Sequence, residues 1–127
     1  MDLYPRTDLQ RFEDAMLAAR MAWWEIEFPS GAVYFSENKT RMLGYSKKDF
    51  IHYSSFTDLV HPEDYETAMQ AMRDHIEGKA ESYSVTYRIK TADGSYRTFR
   101  DMGKIVQRKQ KDFRVAGIVI DVTDNDL

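Results

Sequence analysis

The sequence predicts an α+β domain, an antiparallel sheet with helices on one face and an amphipathic helix in front of it. Three observations carry that expectation. Two short alternating segments open the body of the chain, only helical signals occupy its middle, and three longer alternating segments close it. Two strands, a helical middle and three meandering strands fit an antiparallel sheet with its helices gathered on one side.

Each element has a local reason. Over residues 7–20, Thr7 or Asp8 can cap a helix in which Leu9, Phe12, Met16 and Ala19 recur at helical spacing. From Met21 to Phe28 the pattern becomes a strand, with Trp24, Ile26 and Phe28 on one face and Trp23, Glu25 and Glu27 on the other. Pro29-Ser30-Gly31 turns the chain into a second short strand, Ala32 to Phe35. Ser36 then caps a helix that Gly44 stops, and Ser46 with Asp49 repeats the capping pattern more weakly.

His61-Pro62-Glu63-Asp64 is the best helix start in the chain. Proline in the first turn loses only a donor that had no partner, and two acids there complement the helix dipole. Tyr65, Ala68, Met69, Met72 and Ile76 stripe one face of that helix, and Gly78 ends it. Strands are expected at about 80–91, 95–107 and 111–123, the first two joined at Asp93-Gly94 by a two-residue turn. The last strand is apolar on both faces (Val115 and Val119 against Ala116, Ile118, Ile120 and Val122), which predicts a central position covered twice.

The totals narrow the function classes. At 127 residues the chain is one domain, with 43% hydrophobic and 31% charged residues in ordinary globular proportion. Without cysteine it has no disulfide, no thiolate zinc site and no cysteine nucleophile, which fits a cytoplasmic location. Apolar runs fall far short of the ~20 residues that span a bilayer, so no direct membrane contact is expected. The chain could equally be the cytoplasmic part of a membrane-anchored sensor. The net charge of −3 gives no general attraction to nucleic acid. Nine basic residues do face three acids between Arg88 and Arg114, but they alternate with apolar residues and no exposed aromatic platform accompanies them; this reads as a solvated strand face.

Five stretches together resemble the PAS family. They are Trp24-Glu25-Ile26-Glu27, Met42-Leu43-Gly44-Tyr45-Ser46, Phe56 to Asp64, Tyr87-Arg88-Ile89 with Asp93 to Arg97 and Gly103, and Gly117 to Thr123. The likeness runs over roughly residues 22–124 and is similar to the subgroup found in sensor histidine kinases and diguanylate cyclases. It implies a five-stranded sheet of order 2-1-5-4-3. Behind the amphipathic helix, assigned to 1–20, it further implies a sensory domain over 21–124 and, from 125–127, the start of a linker to a covalently attached output domain. The family often has Trp where this chain has Thr98, so a contact from that position is not carried over.

No converging catalytic set can be assembled, so no enzyme activity is expected. His61, Glu63 and Asp64 are explained by the helix start, and His52 and His75 read as surface or boundary residues. Flavin-photoadduct relatives need a cysteine this chain lacks, and haem-binding relatives have a histidine where Met69 stands, so neither cofactor is expected and no metal site is seen. The resemblance implies a pocket between helices and sheet, which Trp24, Ile26, Phe28, Phe56, Met69, Met72, Tyr83, Val85 and Tyr87 would line for a small-molecule ligand; packed solid, the same residues make a core. Leu9, Phe12 and Met16 are the expected homodimer contact, and a ligand-free dimerisation module is the alternative reading. Asp121, Val122 and Thr123 are the expected signal exit, because Asp and Thr favour helix starts over strand interiors.

Overall fold

The computed structural model describes residues 5–124, so the expected linker start at 125–127 lies outside the described residues. The elements are α1 (Asp8–Ala18), β1 (Met21–Phe28), β2 (Val33–Phe35), α2 (Glu37–Leu43), α3 (Ser54–Thr57), α4 (Pro62–Ile76), β3 (Tyr83–Lys90), β4 (Tyr96–Lys109) and β5 (Asp112–Asp121). Of the two candidate caps for α1 it is Thr7 that acts, exchanging bonds with Gln10 in a capping box. The weaker pattern at Ser46 yields only a 3-10 turn, Lys47–Asp49, without a side-chain cap. At α4 the His61 ring accepts the Glu63 amide, which accounts for this histidine structurally.

The five strands form one antiparallel sheet of order β2-β1-β5-β4-β3. Its inner face carries Trp24, Tyr83, Tyr87, Ile89, Phe99, Val115 and Val119, and α2, α3 and α4 close over them as a single core with Phe35, Leu43, Phe50 and Phe56. Phe56 lies against Phe50 at 4.4 Å with the rings tilted by 31° and meets Phe35 edge-on at 5.0 Å. Asp64 ties α4 to β3. Its carboxylate accepts the Arg88 amide and guanidinium at 2.8–2.9 Å, and these bonds hold it down at a pKa of about 2.

Two expectations need correction. The β3–β4 connection is a three-residue loop, Ala92-Asp93-Gly94, because Thr91 and Ser95 still bond to each other across it. Gly94 takes the left-handed conformation (φ 90°) that such a loop requires, and Asp93 accepts the Thr91 and Ser95 hydroxyls and the Ser95 amide. Strand β5 is central, as its composition implies, but its second face is not fully covered: Ala116, Ile118 and Ile120 are half-buried.

Helix α1 packs on that second face chiefly against β1, and a polar anchor holds it there. Glu13 accepts the Trp23 indole N–H at 2.7 Å and the Ser36 hydroxyl, while its carbonyl accepts the Asn38 amide at 3.1 Å. Of the apolar stripe, Met16 is buried, whereas Leu9 (60%) and Phe12 (54%) stay exposed.

Candidate functional site

Between α4 and the inner face of the sheet lies a cavity of about 290 Å³. Its back wall depends on two glycines. The Trp24 ring lies against β5 and β4 where they pair at Gly117 and Gly103; a Cβ on either glycine would meet that ring at 2.5–2.6 Å. The same indole packs edge-on against Tyr83 at 5.9 Å. Residues Met69, Met72 and Ile76 bring the half-buried side of α4 to the opposite wall.

Eight of the nine residues expected to line a pocket do so: Trp24, Ile26, Phe28, Phe56, Met69, Met72, Tyr83 and Tyr87. Val85 packs against the core cluster instead and is not part of the wall. Exposed Tyr65 leaves the stripe of α4 that Ala68, Met69, Met72 and Ile76 continue.

The two buried charges of the site escape the sequence; the third charged lining residue, Arg73, is exposed and paired with Glu66. Lys39 of α2 and Asp101 of β4 both line the cavity and are both at least 95% buried. Burial drives the Lys39 ammonium down from its ordinary 10.5 to about 8, with the Asp101 charge opposing that shift. Its Nζ sits 3.8 Å from the centroid of Phe56 and makes no hydrogen bond or ion pair among the described residues. Burial pushes the Asp101 carboxyl up, resisted by the Lys39 charge and the Tyr87 hydrogen bond. Tyr87 donates to Asp101 Oδ2 at 2.8 Å and Tyr83 at 3.4 Å; burial and then the Asp101 charge raise both phenols well above 10. Asp101 Oδ1 and Trp24 Nε1 are fully buried with no close partner, but the indole N–H faces the Asp101 carboxyl and helps to hold its proton affinity down. Buried charges are nearly always paired, so the Lys39 ammonium, left without a partner on the wall among the described residues, is the group that points to what the cavity receives.

Position could have revealed both. Asp101 falls between Phe99 and Gly103 on the inward face of β4, and Lys39 lies four residues before buried Leu43 on α2. A third residue, His75, expected at the surface or its boundary, is buried. Its Nδ1 bonds the Ala80 carbonyl at 3.0 Å and its Nε2 accepts the Ile105 amide at 3.0 Å, clipping the end of α4 to the β-bulge between Ile105 and Gln107.

At the end of β5 the Asp121 carboxylate accepts the Thr123 amide and hydroxyl through Oδ1 and the Arg97 Nε through Oδ2. Burial works to raise its pKa, but the Thr123 and Arg97 bonds outweigh it and hold the carboxyl low. Val122 still donates to the Thr98 carbonyl. Three of the nine clustered basic residues are paired, Arg88 with Asp64, Arg97 with Asp121 and Arg114 with Glu25 and Glu27. Among the described residues no group of three or more His, Asp or Glu side chains is placed to hold a metal, and no helix is long and apolar enough to cross a membrane.

A family model described as the PAS fold matches residues 32–119. Blue-light-activated histidine kinases of Brucella ovis and Brucella abortus are 33% identical over 106 residues, which is 84% of this chain and 21% of theirs. The chain thus spans about a fifth of the length of these curated relatives. Among solved structures, a sensory box histidine kinase/response regulator from Burkholderia thailandensis matches with a TM-score of 0.73 at 28% identity, over 90% of this chain and 86% of that one. The N-terminal domain of a diguanylate cyclase with PAS/PAC sensor from Marinobacter aquaeolei matches at a TM-score of 0.75 and 20% identity, over 84% and 99% of the two chains, a likeness of fold.

Proposed function

The chain belongs to the PAS fold family, and from that premise we propose that it is the non-catalytic sensory module of a longer signalling protein, a histidine kinase or a diguanylate cyclase, responding to a small molecule in its helix–sheet cavity. The observation that carries the ligand reading is the cavity of about 290 Å³ with the buried, unpaired Lys39 ammonium on its wall. A solid core would have given that charge a partner. The kinase and cyclase names of the similar proteins support the parent protein's class.

The test is a thermal-shift screen with a broad metabolite library. A ligand at a hundred times its Kd adds about 2.7 kcal/mol, a rise of roughly 10 °C for a domain of this size. Trp24→Ala and the milder Tyr87→Phe should abolish the shift while circular dichroism stays native. A library without a single hit, or hits that ignore both substitutions, would remove the cavity from the mechanism.

Signal exit at Asp121-Val122-Thr123 is part of the same proposal. The cavity's back wall lies on β5, and the last bonds of β5 are those of Asp121 and Thr123. In the parent protein Asp121→Ala should uncouple stimulus from output while ligand affinity changes less than threefold; a normal response in that variant would rule the exit out. Exposed Leu9 and Phe12 favour a second reading, homodimerisation through α1. Under it, sedimentation of Leu9→Asp/Phe12→Asp would give monomers where the unaltered chain gives dimers, and equal masses would refute it.

A further inference from the structure

Three charged residues line the cavity, but exposed Arg73 is paired with Glu66, and the two buried charges bear on which ligand it takes. Lys39 comes from α2 and Asp101 from β4; both are buried, both reach the cavity, and they do not close an ion pair with each other. The polar edge of the cavity therefore offers a positive donor, Lys39 Nζ, and a negative acceptor, the Asp101 carboxylate that Trp24 and Tyr87 steady. A ligand bearing only an anion would put its charge beside Asp101, and one bearing only a cation would face Lys39, both in a low-dielectric setting that magnifies repulsion. A head group with one charge of each sign, net neutral, meets both walls. Beyond that edge Met69, Met72 and Ile76 present apolar, adaptable surface. The cavity volume, at the lower end of the usual ligand-site range, suits a small metabolite.

We propose that the ligand is a free α-amino acid with an apolar side chain, its carboxylate accepting from Lys39, its ammonium donating to Asp101, and its side chain against the α4 methionines. This inference rests on the reading of the cavity as a ligand site.

The experiment is titration calorimetry on the full chain with six probes. L-leucine, L-methionine and L-phenylalanine carry the whole head group; 4-methylpentanoate keeps only the carboxylate, 3-methylbutylamine only the ammonium, and 3-methylbutan-1-ol neither. At least one amino acid should bind, with each half-head probe at least tenfold weaker than leucine or the best amino acid. Lys39→Met and Asp101→Asn, checked for fold by circular dichroism, should each weaken the amino acid at least tenfold and leave the alcohol unaffected. The probe series on the unaltered chain decides the matter even if a variant does not fold. Tighter binding of the alcohol or of a half-head probe overturns the amino-acid assignment and leaves the cavity a ligand site, as does undiminished amino-acid binding in both variants. Silence from all six overturns the assignment, and the metabolite screen then judges the cavity separately.

Discussion

Gly117→Ala should lower the melting temperature by roughly 10 °C, a loss of about 3 kcal/mol or more, the largest effect expected of any single methyl group in this chain. The added Cβ would lie 2.0 Å from the Met102 carbonyl oxygen and 2.5 Å from the Trp24 ring. A side chain can rotate away, but the Met102 carbonyl belongs to the β4 backbone paired with β5, so the sheet itself must give. Gly94→Ala is the matched comparison. It meets no atom within 4 Å and suffers only the left-handed backbone penalty of about 1–2 kcal/mol. Thermal melts followed by tryptophan fluorescence separate the cases, because only Gly117→Ala should also change the Trp24 environment. Equal losses in the two variants would show that the indole–sheet contact does not constrain the fold.

The second large effect lies in alkaline solution. Folded Lys39 releases its proton near pH 8, whereas in the unfolded chain it does so near 10.5. Between those values the unfolded state holds more protons, so stability rises with pH, by up to about 3 kcal/mol across the window. Above pH 10 the sign reverses, because buried Tyr83 and Tyr87 keep phenolic protons that the unfolded chain loses. A stability maximum near pH 10 is thus expected in urea unfolding at closely spaced pH values. Lys39→Met should flatten the rise from pH 8 and leave the decline above 10. A parallel pH course in the variant and the unaltered chain would mean that Lys39 titrates normally.

The fold is legible because the strands are marked by two-residue alternation and α2 and α4 by their starts, whereas α3 has no side-chain cap to announce it. The His61-Pro62-Glu63-Asp64 start of α4 and the apolar two-sidedness of β5 mark the largest helix and the central strand in the sequence itself. What stayed hidden was polar. Alternation sorts residues by side and not by depth, so Asp101 read as one more charged strand residue, though the inward face of Phe99 already claimed it. Lys39 sits in a polar run, Glu37-Asn38-Lys39-Thr40, whose burial depends on how α2 leans on the sheet. For α1 the spacing of Leu9, Phe12 and Met16 suggested one buried stripe, but Glu13 set the orientation through three hydrogen bonds, and only Met16 turned inward. The three-residue β3–β4 loop escaped for a similar reason, since the Thr91 and Ser95 hydroxyls that extend it act through Asp93.

Adjacent residues of α2 serve opposite ends of the molecule. Lys39 projects its ammonium into the cavity, while Asn38 holds the Glu13 carbonyl of α1 and Ser36, the cap of the same helix, holds the Glu13 carboxylate. Seven residues of α2 cannot rotate to follow a group bound at Lys39 without dragging these two grips along. A ligand that displaced Lys39 would therefore pull on α1 through the first turn of this short helix, by a route independent of β5 and its Asp121 terminus.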